Sequence, residues 1–154
     1  MRIISITLAE FYTVIWVLET ADRIRQFSGR KYIALETYKK SGEPKLTPVL
    51  EIESKGTIYF RTGARKWKVR RIRSNPRVRL VPCNGSGKPT GIWVDGEAHI
   101  IEGKEREDAM ALFKKEFGTV GDSLRRAAYR LFRGEPMSSY VSIRLVLDRD
   151  GSSP

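Results

Sequence analysis

Residues Lys31 to Arg61 read KYIALETYKKSGEPKLTPVLEIESKGTIYFR, and this stretch decides the fold. Lys31–Lys39 (KYIALETYK) alternates apolar and polar residues and is rich in β-formers, the period-two pattern of a half-buried strand. Ser41-Gly42-Glu43-Pro44 has turn composition, since glycine and proline take the backbone angles a turn needs. Leu46–Glu53 (LTPVLEIE) predicts a second strand, Lys55-Gly56 the next turn, and Thr57–Arg61 (TIYFR) a third strand. The first two form a hairpin and the third extends it into a meander. Glu51 and Glu53 share one face of the second strand, and their charge assigns that face to solvent.

Downstream the period changes. Ala64–Ser74 (ARKWKVRRIRS) predicts a short helix with Val69 and Ile72 on one face and cations around the rest. Thr62 is its candidate N-cap. Asn75-Pro76 ends it, because the residue before proline disfavours the helical region. Arg77–Cys83 (RVRLVPC) resumes strand alternation, and Asn84–Gly91 (NGSGKPTG) is a loop. Ile92–Ile101 (IWVDGEAHII) predicts a further strand, with a tight turn or bulge at Asp95-Gly96. Glu102–Phe117 and Asp122–Phe132 carry helical patterns, Ser139–Leu147 a final strand, and Gly151–Pro154 a frayed tail. About six strands with peripheral helices predict a mainly β fold, a small barrel. The corresponding layout is an extension over 1–30, one domain over 31–148 and a tail over 149–154.

The 154 residues suit one domain with a real core, and 40% hydrophobic with 31% charged content excludes general disorder. The single cysteine, Cys83, excludes an intrachain disulfide and reads as a buried strand-end residue. The single histidine, His99, excludes a multi-histidine metal site and reads as an ordinary strand residue. No metal is expected. The apolar run Phe11–Leu18, bracketed by Glu10 and Glu19, is too short to span a bilayer. It reads as cover for a core edge or a subunit interface. No small-residue cleavage site follows a charged start, so the expectation is a cytoplasmic protein that binds no membrane.

The charge has one address. Lys55, Arg61, Arg65, Lys66, Lys68, Arg70, Arg71, Arg73, Arg77, Arg79 and Lys88 lie in a stretch, Ser54 to Val94, that has no acid. Without these eleven, the chain's 29 Lys+Arg equal its 18 Asp+Glu, so the net +11 belongs to this stretch. A local positive field of this kind faces an anion. Tyr59–Val78 places a strand end, a Thr-Gly turn and a cationic helix in succession, a sensible phosphate cradle because helix starts expose unpaired N–H groups. A capped surface helix with solvated cations gives the same pattern.

With its flanks, the segment from about Lys31 to Phe117 resembles the FMN-binding split-barrel family, the pyridoxamine-5'-phosphate-oxidase-like proteins. The resemblance rests on TPVLEIE, then RTGARKWK, then NPRV, then RLVPCNGSGKPTGIWVDGEAHII, in that order. The Pro-Cys pair, the Gly-rich turn and the W-V-x-G-x-A strand look like the subgroup of deazaflavin-dependent enzymes that use coenzyme F-420. The resemblance implies a homodimeric split β-barrel with FMN or coenzyme F-420 at the subunit interface. It implies that Thr62, Lys66 and Lys68 hold the cofactor phosphate. It implies that Thr47, Pro48 and Val49 lie along the ring, largely through backbone, with Trp93 and the NGSGKPTG loop near the ring or the partner. A longer acidic cofactor tail would suit Arg70, Arg71, Arg73 and Lys88, which favours the deazaflavin. The chain departs from the oxidase proper in its length and in the tail DRDGSSP, which has no arginine–histidine substrate motif. Trp67 is also bulky where many relatives are small.

The implied activity is hydride transfer between the cofactor and a small organic substrate, and no catalytic residue is identified. Such transfer needs orientation and a dry pocket more than an acid–base pair. A cofactor carrier or storage protein fits the same residues. A nucleic-acid-binding barrel is the alternative of another class, since Trp67, Tyr59 and Phe60 lie among the cations. Against it, the cations concentrate in one strand–helix unit, and no RNA-binding motif with spaced aromatics is present.

Overall fold

The computed structural model describes residues 5–118 and 139–146. In chain order the elements are α1 (Leu8–Arg25), β1 (Tyr32–Tyr38), β2 (Pro44–Ser54), β3 (Thr57–Thr62), α2 (Trp67–Ser74), β4 (Arg77–Cys83), β5 (Val94–Ile101), α3 (Gly103–Phe117) and β6 (Ser139–Val146). The predicted helix Asp122–Phe132 and the tail fall outside the described residues. Six strands close into an antiparallel barrel in the order β1-β2-β3-β6-β5-β4. The mainly β barrel expected from alternation is therefore present.

β2 is the longest strand because it serves two neighbours. Pro44–Leu50 pairs with β1, and Glu51–Ser54 pairs with β3. Lys55 (φ 50°) and Gly56 (φ 81°) then make the two-residue hairpin turn whose positive φ angles match strand twist. Ile33, Leu35, Val49, Ile58, Phe60 and Leu80 fill the barrel together with Ile143. Phe27, fully buried, joins this core from the segment between α1 and β1. Outside the barrel, α3 lays Ala109 and Phe113, four residues apart, against Ile101, Tyr140, Ile52 and Tyr59.

Three local expectations are corrected. Thr62 is not a helix cap: it extends β3, pairs with Ser139 and is buried. The chain then needs the turn Gly63–Lys66 to leave the barrel, so α2 starts at Trp67 with Lys66 at its N-cap. Asp95-Gly96 is neither a turn nor a bulge, since β5 runs in unbroken register against β4 and β6. Gly96 is there for closeness: a Cβ would sit 2.8 Å from Ile143 Cγ2 and 3.2 Å from the Arg144 carbonyl oxygen. β5 itself begins at Val94, and Ile92 and Trp93 precede it.

Glu51 is the third correction. It faces the interior, 1% exposed, and neither carboxyl oxygen has a hydrogen-bond partner among the described residues. Its neighbour Glu53 is better placed, accepting hydrogen bonds from Ser28 Oγ and the Gly56 N–H. Burial, and then the proximity of Glu53, push the Glu51 carboxyl up to about 8.

Gly96→Ala should destabilise the barrel by roughly 1–3 kcal/mol through overpacking, read as a fall of several degrees in Tm. Because the Glu51 pKa is raised on folding from its ordinary 4.5, folded Glu51 holds its proton where the unfolded chain has lost it. Its contribution to stability is complete below pH 4.5 and is lost as pH climbs through about 8. Glu51→Gln should therefore gain Tm relative to the wild type between pH 5 and pH 9; parallel Tm curves would contradict this.

Candidate functional site

α2 is amphipathic in a way that builds a wall. Val69 and Ile72 are buried against the barrel. With 3.6 residues per turn, Trp67, Arg70, Arg71 and Ser74 (i, i+3, i+4, i+7) must then share the opposite face. That face looks across a groove of about 760 Å³ to the β1–β2 hairpin. Tyr38, Lys39 and Lys40 line it from the end of β1, and Lys45, Leu46 and Thr47 from β2. No acid is among the lining residues. The size suits a small-molecule or cofactor site.

Each wall is braced. Arg71 Nε donates to Thr37 Oγ1 at 2.7 Å, tying α2 to the fully buried side of β1. Partial burial lowers the Arg71 pKa, yet the guanidinium stays charged at any working pH. The Arg70 guanidinium lies 4.9 Å from the centre of the Trp67 ring, an indole that is 69% exposed. On the other wall, Lys39 Nζ and Lys45 Nζ reach Glu43 at 2.7 and 2.9 Å. These two lysines hold the Glu43 carboxyl down at about 2, so part of the hairpin's positive charge is already matched. The Tyr38 hydroxyl donates to Glu36 Oε1 at 2.8 Å. Burial first, and then this bond, push its pKa up to about 12, so Tyr38 keeps its proton and acts as a wall.

Of the residues singled out from sequence, the groove takes in Thr47, Trp67, Arg70 and Arg71. Pro48 is exposed on β2, and the Val49 side chain points into the core, leaving only its backbone for a ligand. Thr62 is buried at the end of β3; Lys66 and Lys68 flank Trp67, half-buried, off the lining face. Arg73 is exposed on α2 and also lies off that face. Trp93 packs over Ala34, Val81 and Cys83 on the outside of β1 and β4, with Arg79 5.3 Å above its ring. The NGSGKPTG loop is ordered by Asn84, whose Oδ1 accepts from the Ser86 and Lys88 N–H groups. Cys83 is buried, as its strand-end position suggested. His99 is exposed and 2.6 Å from Glu97. The lining residues missed from sequence are Tyr38, Lys39, Lys40, Lys45, Leu46 and Ser74. For the hairpin residues the signal was Lys39-Lys40 before the SGEP turn and Lys45 after it, which a hairpin must bring together.

A family model described as pyridoxamine 5'-phosphate oxidase matches residues 20–146. The chain belongs to the pyridoxamine 5'-phosphate oxidase family. Solved structures share its split-barrel fold at low identity. HutZ, the heme storage protein from Vibrio cholerae, is 16% identical with a TM-score of 0.57, over 85% of this chain and 89% of that one. An F-420 reductase is 17% identical with a TM-score of 0.54, over 79% and 92%. A reductase dependent on reduced F-420 is 19% identical with a TM-score of 0.51, over 75% and 95%. At these identities the likeness is one of fold. No curated protein matches.

Arg71→Ala should strand the Thr37 hydroxyl in a buried site and cost about 1–3 kcal/mol. It should also speed amide exchange across Val69–Arg73, and Arg71→Lys should not restore protection, because lysine lacks the Nε–H geometry. Unchanged exchange would show that this bond does not hold α2.

Proposed function

We propose that the chain is an oxidoreductase that transfers hydride between coenzyme F-420 and a small organic substrate, with FMN as the alternative cofactor. The observation that carries this reading is the groove: cationic on both walls, free of acids, floored by Leu46 and walled by the Trp67 indole. A donor set of this kind fits a planar ring bearing phosphate. Family membership supports the same reading, as do F-420-dependent reductases of the same fold.

In this proposal Leu46, Thr47 and the backbone of Pro48 and Val49 lie along the ring. Thr62, Lys66 and Lys68 take the phosphate beside the start of α2, where Lys66 leaves the helix without a side-chain cap. Arg70 and Arg71 face a longer acidic tail in the groove, and Arg73, turned off the lining face, meets that tail only beyond it. The cofactor supplies the hydride chemistry when bound. The protein orients the ring and keeps water from it; Trp67 and Leu46, both exposed, are the apolar surfaces that a bound ring would cover. Tyr38 retains its proton and so does not serve as the general base. Two copies of the barrel share the cofactor between them in this account.

Titrating the protein with coenzyme F-420 and with FMN, by fluorescence and calorimetry, tests the reading. Binding of one at micromolar concentration is expected, and no binding of either at tens of micromolar would overturn it. Lys66→Ala with Lys68→Ala should weaken that binding at least tenfold while the circular dichroism stays unchanged, since charge-assisted phosphate contacts are the strong ones.

A further inference from the structure

α1 carries an apolar surface that the barrel does not use. Its start is built firmly: Thr7 and Glu10 form a reciprocal capping box, with Glu10 Oε2 accepting the Thr7 N–H at 2.8 Å. Its end is equally fixed. The Gln26 side chain brackets Ile92, donating to its carbonyl at 3.0 Å and accepting its N–H at 2.9 Å, and Phe27 is sealed in the core. Between these anchors α1 makes no extensive contact with any strand or helix among the described residues. Among the described side chains of α1, Ala21, Arg23 and Ile24, near its end, are half-buried.

The exposed residues follow a rule. Leu8, Phe11, Ile15 and Leu18 repeat at spacings of three and four, the seam of a helix that pairs with another helix. They are 73%, 53%, 43% and 60% exposed. Tyr12 and Val14, also exposed, flank the stripe, and Val17 lies on the other side of the helix. An uncovered helix of this length is marginal in water, so a capped and anchored one implies a partner. With Ile6, eight large apolar side chains stand exposed along this segment. At roughly 100 Å² each, the six on or beside the seam (Leu8, Phe11, Tyr12, Val14, Ile15 and Leu18) offer on the order of 600 Å² per molecule, the low end of the share that one partner contributes to a standard interface.

Charge selects the partner. From Leu8 to Ala21 the only charged residues are Glu10 and Glu19. Helices that lie on anionic membranes carry Lys and Arg along their polar face, and this one carries none before Arg23. A second α1 presents the same seam, with Glu10 off the contact line and Glu19 at its edge, where Arg23 pairs with it at 2.9 Å. We propose that α1 pairs with α1 of a second copy of this chain through Leu8, Phe11, Ile15 and Leu18. The inference stands apart from what the groove binds.

Sedimentation of the full chain across a dilution series tests it. Phe11→Glu with Ile15→Glu should weaken self-association about a hundredfold, or remove one level of assembly, because each change puts a charge into an apolar seam. The Tm of the barrel should stay close to wild type, since the barrel does not rest on α1, and any loss of circular dichroism should be confined to the helical signal of α1. Amide exchange in α1 should be slow at high wild-type concentration and fast on dilution. Three results would overturn the proposal: the same mass and dissociation midpoint in the variant; α1 amides protected in a monomer, which would mean cover by the chain's own residues; and flotation of the wild type with phosphatidylserine vesicles that the variant loses.

Discussion

The rest of the molecule depends on one strand having two partners. β2 spends Pro44–Leu50 on β1 and Glu51–Ser54 on β3. Closing a barrel with so few strands forces this split, because each strand must tilt and stagger past its neighbours. The first half of β2 is thereby left without a β3 partner among the described residues. Pro48, which has no N–H to offer, sits in that half, where a missing ladder bond costs nothing. This is the half that supplies Lys45, Leu46 and Thr47 to the groove. The strand change therefore sets both the shape of the barrel and the place where a ligand can lie.

α2 converts that opening into a site. Its two buried residues, Val69 and Ile72, fix its rotation, and the Arg71–Thr37 hydrogen bond fixes it against β1. Every other consequence follows from helical periodicity: Trp67, Arg70, Arg71 and Ser74 are turned to the groove, while Lys66, Lys68 and Arg73 are turned off it. The acid-free stretch thus divides by geometry into lining cations, flanking cations, and outer-face cations such as Arg79, which is within 3.8 Å of Glu36 and 3.7 Å of Asp95. The groove gains further positive charge from the hairpin, partly matched there by Glu43.

The strands were legible because alternation survives in a barrel with one interior. The sidedness of β2 was not. Leu50 and Ile52 share the face opposite Val49, Glu51 and Glu53, and a reader expects the acidic face outside. Yet Ile52 is apolar because α3 covers the outer wall there, packing Ala109 and Phe113 beside Tyr140 of β6. With both faces covered, polarity no longer distinguishes inside from outside, and Glu51 is enclosed. Gly96 was misread for a related reason: a turn signal and a need for close packing look the same in sequence. The α2 half of the groove was readable from helical spacing. The hairpin half was not, since Lys39, Lys40 and Lys45 meet α2 only through tertiary structure, and Glu43 hides them from a search for unbroken charge.

The central claim is that the groove between the β1–β2 hairpin and α2 is where an anionic, planar cofactor binds. Backbone-amide chemical-shift mapping during a titration with coenzyme F-420 or FMN tests it most directly. The account predicts shifts concentrated at Leu46, Thr47, Trp67, Arg70 and Arg71, with little change at Trp93, Arg79 or α3. Shifts centred on the outer face of β4 and β5, with α2 and the hairpin unmoved, would contradict it.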